Sequence, residues 1–260
     1  MIFAKKSLGQ NFLIDKNVIK KIINLLKIKN KHIVEIGPGR GSLTKEILRH
    51  EPRSLTIIEK DNRLAQELEL EYSTKKRIKV INDDVLKVDL ENILNKNSTI
   101  VGNLPYNISS QILVKILKFK IWPPKYNDLI FMFQKELGEK IIGKYLTSDY
   151  SRLSIITNYR LDVIKKFNVS SNSFSPKPKI TSMVIQFKPA KKKNFKIKKI
   201  ESLEKITNVL FSNKRKMINK NIKKILSDKK INEIKNLDLK KRPSEIQPEI
   251  YYKIAEFFEN

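Results

Sequence analysis

The feature that most constrains the fold is an alternation along the chain. Short β-branched apolar runs take turns with segments of helical period. Residues 32–37 ("HIVEIG") form such a run, and residues 42–50 ("SLTKEILRH") after it read as a helix with Ser42 placed to cap it. Residues 54–61 read as the next strand, and residues 62–72 as a helix with Leu64 and Leu68 four apart on one face. Residues 78–83, 98–103 and 128–134 are further strands, the last followed by a helix over 135–145. Apolar strands separated by helices require a parallel sheet covered on both faces, so the fold class is doubly wound α/β. Residues 161–169 and 181–189 break the pattern, because no helical segment separates them, and they predict an antiparallel pair at the end of the sheet.

Composition adds a second part. Hydrophobic residues make up 40% of the 260, enough to build a core. After Pro189 the character shifts: "KPAKKKNFKIKK" (188–199) holds no acid, and everything beyond it has helical periodicity. Residues 187–260 hold 21 Lys and Arg against nine Asp and Glu, so we expect a boundary near residue 190 with a small basic helical domain behind it. The whole chain carries a net charge of +27, nearly all of it lysine. Its richness in Ile and Asn points to compositional drift that inflates this charge without creating it. A polyanionic partner such as a phosphate backbone is expected. Cysteine is absent and only His32 and His50 are present, which removes disulfides, thiolate chemistry, zinc ligation and a histidine triad. The N-terminus lacks the apolar run of a signal peptide, and no stretch has the length of a membrane span. A cytoplasmic, metal-independent protein is the expectation.

Three of the seven glycines stand in "EIGPGRGSLT", at Gly37, Gly39 and Gly41. Glycines between a strand and a helix let a ligand approach the backbone, and the helix start offers free N–H groups to an anion. Glu59 closes the second strand, where a carboxylate can take both ribose hydroxyls of an adenosine-containing ligand. Asp83 or Asp84, after the third strand, can accept from an adenine amino group. These residues suit NAD and S-adenosylmethionine equally. "GNLPY" (102–106) separates the two. An aromatic amine is a poor nucleophile because its lone pair is delocalised into the ring. The side-chain carbonyl of Asn103 and the backbone carbonyl of Leu104 can each accept one of its hydrogens, localising the pair and stabilising the positive charge that grows during alkylation. Pro105 stiffens the turn, and Tyr106 can stack on a base turned out of its helix.

The motifs "KSLGQNFL" (6–13), "VEIGPGRGSLT" (34–44), "IIEKD" (57–61), "NDDVL" (82–86), "GNLPYNISS" (102–110), "FMFQKELGEKI" (131–141), "YSRLS" (150–154), "SFSPKPKITSMV" (173–184) and "FSNKRKMI" (211–218) occur in that order. Together they resemble the bacterial small-subunit ribosomal RNA adenine dimethyltransferase family over almost the whole chain. The resemblance implies a Rossmann-like class I methyltransferase sheet over 1–189, a basic helical RNA-binding domain over 190–260, and a monomer that acts in ribosome biogenesis. It implies S-adenosylmethionine as cofactor and, as substrate, the N6 amines of two adjacent adenosines in a hairpin loop near the 3′ end of small-subunit rRNA. Carried over residue by residue, Asn11 and Leu13 close over the cofactor, Gly37 and Gly39 lie against its methionine portion, Glu59 holds the ribose and Asp84 reads the adenine. Asn103 lies between cofactor and target amine, Leu104 and Tyr106 act as above, and Phe174 gives a second aromatic face that clamps the base against Tyr106.

Three other readings compete. The large-subunit dimethyltransferases of the macrolide-resistance type share fold and mechanism, but tend towards a serine in the first motif and an isoleucine in the second. A non-enzymatic RNA-binding assembly factor would not need Gly37, Glu59, Asp84 and Asn103–Tyr106 all intact. A nicotinamide dehydrogenase leaves "NLPY" and the charge unexplained.

Overall fold

The computed structural model describes residues 5, 8–190 and 195–260; Lys6 and Ser7 of the N-terminal motif and the lysines at 191–193 lie outside the described residues. The chain divides into two compact units, residues 1–138 with 163–189, and residues 139–162 with 190–260.

The first unit is built on parallel strands. β1 (Phe12–Leu13) precedes α1 (Lys16–Ile23), whose N-terminus is capped by the Asp15 carboxylate accepting from the backbone of Asn17 and Val18. The alternation expected from the sequence follows: β2 (His32–Ile36), α2 (Ser42–Arg49), β3 (Ser54–Glu59), α3 (Asn62–Tyr72), β4 (Ile78–Asn82), the short α4 (Leu90–Ile93), β5 (Ser98–Asn103), α5 (Ser109–Leu117) and β6 (Tyr126–Gln134). α6 (Lys135–Ile141) ends four residues short of the helix expected there, where the chain turns into the 142–150 loop. α2 also differs in detail. Its N-cap is Gly41 in a left-handed conformation with no side-chain cap, and Ser42 is the first helical residue.

After α7 (Arg152–Arg160) the chain returns as β7 (Leu161–Val169), β8 (Phe174–Ser175) and β9 (Ser182–Pro189). The large sheet has the order β4-β3-β2-β5-β6-β9-β7. β2 through β6 pair in parallel, and β9 runs antiparallel to β6 with Phe131 opposite Ile185. β2 is the point at which the winding reverses. β3 and β4 extend from one side of it and β5 and β6 from the other, so their connections part above its carboxyl end and leave a crevice. Leu64 and Leu68 of α3 are 1% and 3% exposed, as their spacing requires. The isoleucines Ile19, Ile22 and Ile23 of α1 join Ile47, Leu55 and Ile57 in one apolar cluster.

The second unit is helical: α7, α8 (Ile200–Phe211), α9 (Asn219–Ile222), α10 (Asp228–Glu233) and α11 (Pro248–Glu259). It takes in residues 139–162, which the composition had grouped with the sheet. Three buried tyrosines knit it together. Tyr150, Tyr251 and Tyr252 donate their hydroxyls to the carbonyls of Ile246, Pro243 and Ile155, so no phenol oxygen among them is buried unsatisfied.

Candidate functional site

At the carboxyl ends of β2, β3 and β5 one cavity collects nearly every residue singled out in the sequence. Asn11, Leu13, Gly37, Gly39, Glu59, Asp84, Asn103, Leu104 and Tyr106 all line it. Each arrives by a short route from a strand end. Gly37 and Gly39 follow β2 with φ of +66° and +58°, left-handed values that a Cβ would strain. A Cβ on Gly39 would also meet the Phe12 ring at 2.8 Å, so this glycine admits both the turn and the aromatic ring above it.

Glu59 ends β3 and is 6% exposed. Its carboxylate accepts from the backbone N–H of Gly39 (3.2 Å) and of Asp61 (2.9 Å), one on each oxygen. Burial pushes its pKa up, and those two amides oppose the shift. A carboxylate held this way keeps lone pairs for two further donors, as vicinal hydroxyls would supply. Asp84 accepts from Lys60 Nζ (2.7 Å) and the Leu86 amide (2.9 Å); Lys60 is the main reason its pKa is lowered. Asp83 lines the cavity too, and its carboxylate accepts from the Asp84 backbone at 2.6 Å.

Asn103 is the last residue of β5. Its Nδ2 donates to the backbone carbonyl of Asn11 at 2.9 Å. Leu104, next in the chain, is 1% exposed. Tyr106 shares a hydrogen bond through its hydroxyl with Ser182 Oγ at the start of β9, and burial raises its pKa. The phenol is thereby tethered while its ring borders the cavity.

The structure does not bring Phe174 to this cavity. β8 pairs antiparallel with β1, setting Phe174 opposite Leu13, and the ring is 3% exposed within the same apolar cluster as Leu13, Val169 and Val184. Its burial follows from area: an aromatic ring beside an apolar ladder gains more from packing than from facing water.

Two residues of the site escaped the sequence reading. Glu35, inside β2, is 1% exposed and lines the cavity. One oxygen accepts from Thr44 Oγ1 at 2.7 Å; the other has no hydrogen-bond partner among the described residues. Burial, with Glu59 nearby, pushes its pKa up to about 7. An acid within an apolar strand was the available signal. Gln10 also lines the cavity and donates to Asp61 at 3.1 Å; it lies within the "KSLGQNFL" motif, where only Asn11 and Leu13 were singled out. No group of histidines and carboxylates among the described residues has the arrangement of a metal site.

Comparison with known proteins places this geometry. The "Ribosomal RNA adenine dimethylase" family model matches residues 2–260. The protein named ribosomal RNA small subunit methyltransferase A in Pelagibacter ubique is 43% identical, with 99% of this chain and 97% of that protein covered. The crystal structure of a dimethyladenosine transferase from Plasmodium falciparum superposes with a TM-score of 0.75 at 24% identity, covering 94% of this chain and 95% of that one. A 23S rRNA methyltransferase superposes with a TM-score of 0.69 at 24% identity, covering 96% and 100%. Both structures share the fold, so the fold does not separate small-subunit from large-subunit enzymes. A match spanning the chain almost end to end settles the family: this protein belongs to the ribosomal RNA adenine dimethylases.

Proposed function

We propose that this protein dimethylates the N6 amines of two adjacent adenosines near the 3′ end of small-subunit ribosomal RNA, with S-adenosylmethionine as methyl donor. The observation that carries the reading is that one cavity holds Gly37, Gly39, Glu59 and Asp84 together with Asn103, Leu104 and Tyr106. The relative named as a small-subunit methyltransferase supports that substrate over the large-subunit alternative.

The residues fit the cofactor. Left-handed Gly37 and Gly39 leave the backbone bare where a ligand must pass close, Glu59 presents a carboxylate to ribose hydroxyls, and Asp84 stands where adenine would be read. Asn11 and Leu13 cover this end of the cavity. When bound, the cofactor supplies a methyl group on a cationic sulfonium. The chain's part is to present the amine. Asn103 Oδ1 and the Leu104 carbonyl accept its two hydrogens, drawing the lone pair out of conjugation and countering the charge that develops on nitrogen. Tyr106, with its hydroxyl held by Ser182, offers its ring to the base. The alkylated nitrogen is acidic enough to lose a proton to water, so no base is required of the protein. After the first transfer one N–H remains, and a single acceptor then suffices. Phe174, 3% exposed and packed in one cluster with Leu13, is given no role in this account.

The test is labelled S-adenosylmethionine with unmethylated small and large ribosomal subunits, followed by mapping of the label. Label confined to adenosines of small-subunit RNA is expected; label on large-subunit RNA would overturn the assignment. Asn103→Ala is expected to lower methyl transfer by about 100-fold or more while RNA affinity stays within about threefold, since phosphate contacts supply most of the affinity. Lys214, Arg215 and Lys216 lie in an exposed turn after α8. Replacing all three with Gln is expected to weaken RNA binding and flatten its salt dependence by up to about three units of slope. An unchanged slope would exclude that turn from the interface.

A further inference from the structure

The side-chain amide of Asn103 can be useful only one way round. Its oxygen must face the amine, because its nitrogen is a donor and would confront the amine's own hydrogens. In the structure Asn103 Nδ2 donates to the backbone carbonyl of Asn11 at 2.9 Å. A carbonyl accepts and cannot donate, so this contact forces the orientation and leaves Oδ1 for other partners.

The placement of that carbonyl is therefore a functional variable, and two anchors determine it. On the C-terminal side of Asn11, Phe12 and Leu13 form the ladder with Ser175 and Phe174, and Ile14 N–H donates to Ser173. On the N-terminal side the anchor is Gln10. Its Oε1 accepts from the Lys5 backbone at 2.7 Å, and its Nε2 donates to Asp61 at 3.1 Å. Asp61 is 1% exposed and also accepts from Lys5 Nζ at 3.2 Å and from Arg63 at 2.9 Å. It is a fixed post, since it is also the N-cap of α3. Between the anchors the segment lies hard against the turn it orients. A Cβ on Gly9, whose φ is +64°, would come within 2.9 Å of Asn107 Oδ1.

From this geometry we infer that Gln10 is a positioning residue for the transfer: by tying the N-terminal segment to Asp61 it holds the Asn11 carbonyl where it locks Asn103 with its oxygen towards the target amine. The inference rests on the functional reading above. Gln10 lines the cavity as well, but the effect inferred here passes through the orientation of another side chain.

The test uses the full chain. Gln10→Ala is expected to lower kcat by about tenfold, with RNA affinity unchanged and the chain still fully folded at the assay temperature, because an unlocked amide spends much of its time reversed. Asn103→Asp supplies the control, since a carboxylate presents an oxygen whichever way it turns. In that background Gln10→Ala should cost no more than about twofold. The same tenfold loss in both backgrounds would mean a merely structural contribution and would overturn the inference. An independent readout needs no turnover. In protein carrying isotopically labelled asparagine, the Asn103 side-chain amide, identified by its loss in Asn103→Ala, should exchange with water slowly. In Gln10→Ala it should exchange at least about tenfold faster, by the free energy of one lost hydrogen bond. Unchanged exchange would overturn the lock. Failure of the natural chain to label small-subunit RNA would instead defeat the functional reading alone, and the exchange measurement would still decide on the lock.

Discussion

Glu35, which lines the cavity, and Asp61, which caps α3, each expose only 1% of their surface, yet their acidities move in opposite directions. Glu35 faces one hydroxyl and a second carboxylate, Glu59, and its pKa rises to about 7. Asp61 faces Arg63, Gln10 and Lys5, and Arg63 foremost holds its pKa well below the usual carboxylate range. Burial raises both pKa values; at Asp61 the hydrogen bonds from Arg63, Gln10 and Lys5 outweigh it, and at Glu35 the Thr44 hydroxyl does not. The difference also shows how a chain of net charge +27 can serve a cationic ligand. The ion pairs Lys5–Asp61, Arg63–Asp61 and Lys60–Asp84 near this site fall on Asp61 and Asp84. Glu35 and Glu59 are left with neutral donors for company.

The comparison can be broken at three places. Glu59→Gln should have the largest effect. It removes a charged acceptor for two hydroxyls and sets an amide against the Gly39 and Asp61 N–H groups, so affinity for S-adenosylhomocysteine should fall by roughly 30- to 100-fold in calorimetry. Glu35→Gln comes next and should be stabilising. The folded-state pKa of Glu35 lies above its usual value, so ionising it costs stability progressively as pH rises from about 4.5 to about 7, and the cost stays constant above that. The neutral amide escapes a penalty of about 3 kcal/mol, so its melting temperature should exceed the natural chain's by roughly 10 °C at pH 8, with little difference at pH 5. Equal melting temperatures at pH 8 would mean that Glu35 is not short of donors. Lys60→Met should do least. The Lys60 side chain is 54% exposed, and pairs of that kind contribute about 0.5 kcal/mol or less, within the reach of chemical denaturation to exclude.

How much of this was legible in the sequence depends on the range of the interactions. The alternation of strands and helices, the glycines after β2 and the uncharged turn after β5 are local patterns, and each stands where its pattern placed it. Ser42 was misjudged because Gly41 can adopt the left-handed conformation that begins α2 without a side-chain cap. The burial of Phe174 could not be read locally, because its surroundings are set by β1, far away in the chain, and no local pattern reports a two-residue ladder. Residues 139–162 pack with the helical unit although their composition resembles the sheet's neighbours. Asp61 could be read as a helix cap, but not as a post for Gln10, since that role needs the coordinates of both.

The ladder between β1 and β8 has a consequence for how the protein is made. It joins Phe12 to Ser175, 163 positions apart (175 − 12). A closure that long carries a large entropic cost, and two residue pairs return little against it, so this ladder belongs among the last contacts to form. During synthesis the parallel strands can assemble as they emerge, while the N-terminal segment waits for residues 173–175 before it can settle over the cavity. A nascent chain can thus pair β2 to β6 before the residues that close its site have emerged.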